Sequence, residues 1–177
     1  MRKSIIHEGP GIEDVFSSDL LFREFKIQLS SSLTRGKSYK IEFPDDMTDF
    51  AGNKMERSSF LFGLAETPSG GDIFFNELLF NPIPGDPDYI ELYNCSDKII
   101  DASKLHLVYV SDATADTSVL VPVSQERRCI MPGTYYAVTS DRQKTINRYT
   151  SSVPENLFRI SSLPSMPDDE GTLILFN

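Results

Sequence analysis

The sequence predicts an all-β protein with one short helix, and three observations lead to that fold class. Apolar and polar side chains alternate with a period of two over several short runs, which is typical of strands with one buried face. The 12 Phe and 7 Tyr residues outnumber the alanines, a composition that favours sheets over helices. Clusters of Gly, Pro, Asn, Asp and Ser separate the runs and predict turns.

The first part of the chain shows this alternation in two runs and a third apolar run that could close a sheet. The predicted strands are residues 24–29, 38–43 and 59–64, with turns at residues 30–36 and 45–53. We expect the segment before them, which contains His7, to be mobile. Residues 65–71 are small and polar and end in two glycines, so they predict a domain boundary. The expected division is a unit at 1–66, a linker at 67–71 and a domain at 72–177.

The second domain is predicted to begin with a strand at residues 72–80, which is apolar on both faces and therefore expected at the centre of a sheet. Residues 81–88 contain three prolines and must form a surface loop. Further strands are predicted at residues 89–94, 105–110, 119–123, 134–139 and 172–176. Ser140 and Gln143 have the spacing of a capping box, which predicts one short helix with Ser140 as its N-cap.

Charge and composition exclude several classes of function. The net charge is −9 and the pI is about 4.7, so we expect no nucleic-acid partner, because polyanions would be repelled. No apolar run is long enough to span a membrane, so we expect no membrane insertion of this segment. Cys95 and Cys129 match no metal or redox motif, and we expect them to be small buried residues rather than a disulfide, although one bridge between them stays open.

Four motifs in the second domain occur in an order that resembles the bacterial lamin-tail domain. They are GDIFFNELLFNP at residues 71–82, DYIELYNCSDK at 88–98, MPGTYYAVT at 131–139 and LPSMPDDEGTL at 163–173. The first unit is similar to the last strands of a bacterial Ig-like domain, through LTRGKSYKI at 33–41 and DFAGN at 49–53. The resemblance implies an immunoglobulin-like β-sandwich preceded by a smaller, partial Ig-like unit.

The resemblance also has consequences for the setting of the chain. It implies a bacterial cell-surface or secreted protein, outside the cell, although the first residues carry no recognisable export signal. Both units are shorter than such domains usually are, so we expect the chain to be a fragment of a longer multidomain protein whose neighbouring domains are among its partners.

Catalytic function is not expected from the motifs. The sequence lacks the patterns of serine hydrolases, P-loop enzymes, dinucleotide-binding enzymes and zinc proteases. His106 alternates with two leucines, which places it on the outer face of a strand. We therefore expect the chain not to be an enzyme and to need no cofactor.

Acidic residues are the candidates for a metal site. Asp86, Asp88 and Glu91 lie close together, and Asp168 and Asp169 lie in a second acidic loop; calcium takes oxygen ligands of this kind. Their spacing matches no EF-hand, and turn-forming or solvated roles are the favoured interpretation. Glu77 lies within a strand, as does Glu91, and both are expected to point outward, because a carboxylate in the core is costly.

Tyrosines are the candidates for a binding surface. Tyr89, Tyr93, Tyr135 and Tyr136 combine large contact area with few rotatable bonds, which suits recognition of a protein or glycan at the cell surface. Half-buried packing is the favoured alternative for tyrosines in strands. The sequence thus predicts a non-catalytic structural or adhesive module that acts through protein or glycan contacts. The alternative is a substrate-targeting accessory module of a secreted hydrolase, with catalysis outside this chain.

Overall fold

A computed structural model describes residues 4–151, 153–165 and 171–177 of the chain. The structure is mostly β, with one short α-helix among the described residues, which confirms the predicted all-β class. It divides into two compact units, Met1–Leu64 and Ala65–Asn177. Glu66 belongs to the second unit, because its N–H donates to the Ile99 carbonyl at 2.7 Å and its carbonyl accepts from Asp101 at 3.2 Å. We describe each unit by itself.

The first unit contains two small antiparallel sheets. Its strands are β1 Ile5–His7, β2 Ile12–Ser17, β3 Phe25–Leu29, β4 Ser38–Glu42 and β5 Ser59–Gly63. One sheet has the order β1-β4-β5, and β2 pairs with β3 in the other. The expectation of a mobile N-terminal segment is wrong at His7, which lies in β1 opposite Lys40 and contacts the Glu42 carboxylate at 2.8 Å.

Burial in the first unit is limited to a few side chains. Tyr39 and Ile41, on one face of β4, are buried, as the alternation predicts. Tyr39 also packs against Phe62, with ring centroids 5.7 Å apart, and its hydroxyl accepts the Thr34 N–H at 2.9 Å. Beside them lies an open apolar groove of about 530 Å³, lined by Ile6, Ile27, Leu29, Leu33, Ile41, Phe43, Met55, Phe60 and Phe62.

The described part of the second unit contains three sheets and the α-helix. Its strands are β6 Ile73–Leu79, β7 Tyr89–Asn94, β8 Ile100–Asp101, β9 His106–Val110, β10 Val121–Pro122, β11 Cys129–Ile130, β12 Tyr135–Thr139, β13 Leu157–Arg159 and β14 Thr172–Phe176, and the helix is α1 Arg142–Arg148. The sheet orders are β13-β12-β7-β6, β10-β9-β14 and β11-β8. Only β12 and β13 pair in parallel among these strands.

One apolar core joins these sheets. Alternate residues of β7 and β12 point into it: Ile90, Leu92, Tyr136 and Val138 are all at most 2% exposed. They pack in one cluster with buried side chains from β8, β9 and β11, including Leu107. The outward-facing residues of β7 and β12 are consequently presented on a rigid support.

The first strand of this unit lies at an edge of its sheet, which corrects the expected central position. In the described part of the chain β6 pairs only with β7. The ladder is irregular between Phe75 and Glu77, and Phe74 and Leu78 are 56% and 38% exposed. Phe74 lies on the outer face and Leu78 on the inner face, opposite the buried Ile90. Apolar residues on both faces therefore do not indicate a central strand here, because both faces of an edge strand can remain partly exposed.

Two smaller expectations are also wrong. The helix is capped by Asp141, whose carboxylate accepts the Lys144 N–H at 3.1 Å, and not by Ser140 one residue earlier. Both residue types cap helices well, so the sequence could not distinguish them. Cys95 and Cys129 form no disulfide, and both are exposed rather than buried.

Candidate functional site

Three rows of side chains cross the outer face of the four-stranded sheet. In each row, residues of β6, β7 and β12 are paired neighbours, and the rows follow one another along the strands. They are Phe74–Tyr93–Tyr135, then Glu77–Glu91–Ala137, and then Leu79–Tyr89–Thr139. The middle one, which we call the acidic row, ends on the small side chain of Ala137.

Pairs of tyrosines stand on both sides of the acidic row. Tyr93 and Tyr135 are neighbours with ring centroids 4.9 Å apart. On the other side, Tyr89 meets Tyr149 edge to face at 5.6 Å. Between them lies a cleft of about 350 Å³, which Glu77, Glu91, Ala137, Thr145, Thr150, Val153 and Asn156 also line. We call it the tyrosine cleft.

The two carboxylates in the cleft are held by uncharged donors. The Tyr89 hydroxyl donates to Glu77 Oε1 at 2.5 Å, and the Asn76 amide donates to Glu91 Oε1 at 2.7 Å. Among the residues that the structure describes, no Lys or Arg forms an ion pair with either carboxylate. Like charges directly opposite each other across strands are destabilising, so this arrangement costs the sheet stability.

Burial and the two carboxylates act together on the Tyr89 hydroxyl. Burial raises the pKa of the Tyr89 hydroxyl well above its usual range, and the hydrogen bond to Glu77 and the charges of Glu77 and Glu91 raise it further. The Tyr89 hydroxyl is therefore a hydrogen-bond donor to Glu77 at neutral pH. The remaining carboxylate oxygens in the cleft can accept hydrogen bonds from a bound group.

Buried threonines anchor the helix that carries one wall of the cleft. The Thr139 hydroxyl donates to the Asp88 carbonyl at 2.7 Å and lies 3.1 Å from the Thr145 hydroxyl. Thr145 Oγ1 in turn donates to the Asp141 carbonyl at 2.9 Å, and both threonines are buried. This network holds α1 against β12 and so positions Tyr149.

The loop before β7 is tied to the same helix. Asp86 pairs with Arg148 at 3.1 Å, and the Gly85 carbonyl accepts from the Lys144 ammonium at 3.4 Å. The proline-containing loop at residues 81–88 is thus held beside the cleft rather than left independent of it.

The structure brings together three of the four predicted binding tyrosines. Tyr89, Tyr93 and Tyr135 all line the cleft or stand beside it. Tyr136 does not belong to this surface, which corrects the prediction: it is 2% exposed and stacks on Phe158 with centroids 4.5 Å apart. Adjacent residues of a strand face opposite sides of the sheet, so Tyr136 points into the core while Tyr135 points outward. Burial raises the pKa of the Tyr136 hydroxyl to about 12.

Two of the predicted calcium ligands, Asp86 and Glu91, have other partners in the structure. Asp86 is paired with Arg148, and Glu91 accepts from Asn76 in the cleft. Asp168 and Asp169 lie outside the described residues. Within residues 4–151, 153–165 and 171–177, no three His, Cys, Asp or Glu side chains form a group that could hold a metal ion. Glu77 and Glu91 point outward, as predicted.

Sequence reasoning did not assign functional roles to Glu77 and Ala137. Ala137 carries no chemical signal in the sequence, and its importance comes from its position opposite Glu91. Only the register of β6, β7 and β12 shows that the acidic row lies between two tyrosine pairs.

Comparisons with known proteins give no relative for this chain. No protein-family model matches it, and neither a curated protein nor a solved structure matches it. Among the described helices, none has the length and apolar character needed to cross a membrane. The interpretation of the site therefore depends on its own geometry.

Proposed function

We propose that the second unit is a non-catalytic binding module that contacts a protein or a glycan through the tyrosine cleft. The observation that carries this proposal is a preformed cleft in which two tyrosine pairs flank two carboxylates that no cation of the described chain neutralises. Tyrosines give large contact area at small entropic cost, and the supporting strands are fixed by the core on their other face.

We further propose that the second unit is an immunoglobulin-like β-sandwich of the lamin-tail type, preceded by a partial Ig-like unit. The positions of the motifs support this: the first two coincide with β6 and β7, and the third contains β12. The common core under the four-stranded and three-stranded sheets is also what a sandwich requires.

This proposal includes a setting for the module. It serves a structural or adhesive role in a bacterial cell-surface or secreted multidomain protein, next to further domains of the same polypeptide. The net charge of −9 favours partners that carry positive charge or none.

A binding screen against glycans and extracellular-matrix proteins tests the proposal. The wild-type chain is compared with Tyr135→Ser, which removes a 47% exposed ring from the wall of the cleft. Val119→Ser is the control, because it removes an 83% exposed apolar side chain that does not line the cleft. We expect Tyr135→Ser to weaken the best saturable interaction about tenfold or more, and Val119→Ser to leave it unchanged.

Two results would contradict the proposal. One is the lack of any saturable ligand in the screen. The other is a ligand whose affinity is the same for the wild type and for Tyr135→Ser, since the contact would then lie elsewhere.

A further inference from the structure

We propose that the tyrosine cleft receives a lysine or arginine side chain from an extended basic segment of a partner protein. This inference rests on the proposed function and deepens it, because it names the charged group that the cleft selects. It depends on three features of the described residues: the acidic row, the tyrosine pairs and the edge position of β6.

The acidic row would be stabilised by a bound cation. Glu77 and Glu91 are direct neighbours across β6 and β7, and among the described residues the donors to them are uncharged: Tyr89 to Glu77 and Asn76 to Glu91. A cation placed between the two carboxylates would remove their repulsion and pair with both. The gain is larger than on an open surface, because the cleft partly excludes water from the contact.

The tyrosine pairs suit the same occupant. An ammonium or guanidinium group is attracted to the face of an aromatic ring within roughly 6 Å, and its alkyl stem packs against aromatic carbon. Tyr89 and Tyr149 stand on one side of the acidic row, and Tyr93 and Tyr135 on the other. Ala137 leaves space in the row where a longer side chain would fill it.

The size of the cleft favours one side chain. Its volume of about 350 Å³ is near the lower end of ligand pockets, which span roughly 300–1,000 Å³. A chain of sugars needs a longer platform than this. A single basic side chain fits the volume and leaves the rest of the partner outside.

The sheet edge favours a polypeptide. Glu77 lies on β6, and β6 hydrogen-bonds to β7 alone among the described strands. The backbone groups on its other side can pair with an added strand, as in other complexes that extend a sheet. An extended segment bound there would carry its side chains past the acidic row, which a glycan cannot reproduce.

The test measures binding of short peptides by the wild-type chain. The probe is a Thr/Val peptide with one central lysine, acetylated and amidated at its ends. The comparison peptide has norleucine in place of the lysine, which keeps the alkyl chain and removes the charge. We expect the lysine peptide to bind at least about fivefold more tightly, with the preference reduced at high salt. An arginine peptide is expected to behave as the lysine peptide does.

Variants locate the effect in the cleft. Glu91→Gln is expected to abolish the preference for lysine, and Glu77→Gln to reduce it. Both retain an acceptor for their present donors and remove like-charge repulsion, so neither should lower the melting temperature. Asp97→Asn is the control, since it removes one exposed negative charge of this unit outside the cleft and should keep the preference.

Several outcomes would overturn the inference. Equal binding of the lysine and norleucine peptides that Tyr135→Ser weakens would overturn it and leave the proposed function standing. Lack of saturable binding of the lysine peptide up to about 5 mM would also overturn it. So would tighter binding of a glucosamine oligomer that depends on Glu91, because the partner would then be an amino sugar. If the glycan and matrix screen also gave no ligand, the proposed function would fail with it.

Discussion

The two units have similar alternating strands but bury them to different extents. In the first unit, β4 buries Tyr39 and Ile41, while neighbouring Phe60 and Leu61 of β5 remain 39% and 52% exposed. In the second, twelve buried side chains from several sheets form one cluster. The difference shows that alternation identifies the faces of a strand, whereas burial depends on whether another layer covers the inner face.

The difference also bears on where binding takes place. The tyrosine cleft stands mainly on β7 and β12, whose inner-face residues Ile90, Leu92, Tyr136 and Val138 are buried, so its side chains are held in place before a ligand arrives. The first unit instead presents an open apolar groove, beside few buried neighbours.

Truncation of an apolar side chain should lower the free energy of unfolding much more in the second unit than in the first. Leu92→Ala removes a side chain with no exposed surface and should lower the free energy of unfolding of the second unit by roughly 2–5 kcal/mol. Leu61→Ala, at a half-exposed position of β5, should cost about 1 kcal/mol or less. Hydrogen exchange read by mass spectrometry reports each unit separately, and equal losses would contradict the contrast.

Loss of a buried hydroxyl should loosen the wall of the cleft. Thr145→Val removes the contacts with Thr139 and with the Asp141 carbonyl and should cost roughly 1–2 kcal/mol, because buried polar groups lose their partner. Thermal unfolding measures this loss of stability, and hydrogen exchange of the α1 amides measures the loosening of the helix. Thr117→Val, at an exposed site, is the control and should change stability by about 0.5 kcal/mol at most. An equal effect of the two variants would show that the network does not hold the helix.

A partly buried ion pair between Asp72 and Lys98 makes the stability of the second unit depend on pH. The hydrogen bond from Lys98 at 2.8 Å holds the pKa of Asp72 below its usual range, with the Ser69 N–H helping and burial opposing. Because the folded pKa is lowered, this contribution is present above the unfolded pKa and is lost as the pH falls through the folded value. Asp72→Asn should therefore cost about 1 kcal/mol at neutral pH, and this cost should decrease as the pH falls below the usual pKa range of an aspartate.

Urea unfolding of the wild type and Asp72→Asn at several pH values measures that difference. A cost that stays constant from neutral to acidic pH would mean that the carboxylate charge is not the cause.

The smallest effect is expected at an exposed pair of the first unit. Lys40 and, second, His7 lower the pKa of Glu42, but all three side chains are largely exposed to solvent. Such pairs contribute little, because water and salt screen them. Glu42→Gln should leave the melting midpoint of the first unit unchanged within error. A shift as large as that of Asp72→Asn would be inconsistent with the contrast between the units.

The alternation of apolar and polar residues predicted many of the strands but not which strands lie next to each other in a sheet. The alternation placed β3, β4, β7, β12 and β14 within one or two residues of their observed bounds. It missed β1 and β2, which are short or largely exposed and carry no clear periodic signal. It also placed β6 at the centre of a sheet instead of at its edge, because an apolar strand can have the same sequence pattern in both positions.

The candidate site was predictable only in part. The sequence identified Tyr89, Tyr93 and Tyr135 by their chemistry, and the alternation with Val138 could have excluded Tyr136 from the surface. The acidic row could not be predicted, since it depends on which residues of β6 and β12 stand opposite Glu91. Register is set by the whole sheet, including the irregularity in β6, and not by any local pattern.

The most direct test of binding through the second unit is an NMR titration of the isotope-labelled chain with the tightest ligand from the screen. We predict that the amides of Glu77, Glu91, Ala137 and Tyr149 shift with one common dissociation constant, while those around the apolar groove of the first unit stay unchanged. Saturable shifts confined to the groove, at Ile27, Ile41 and Phe60 for example, would contradict the account.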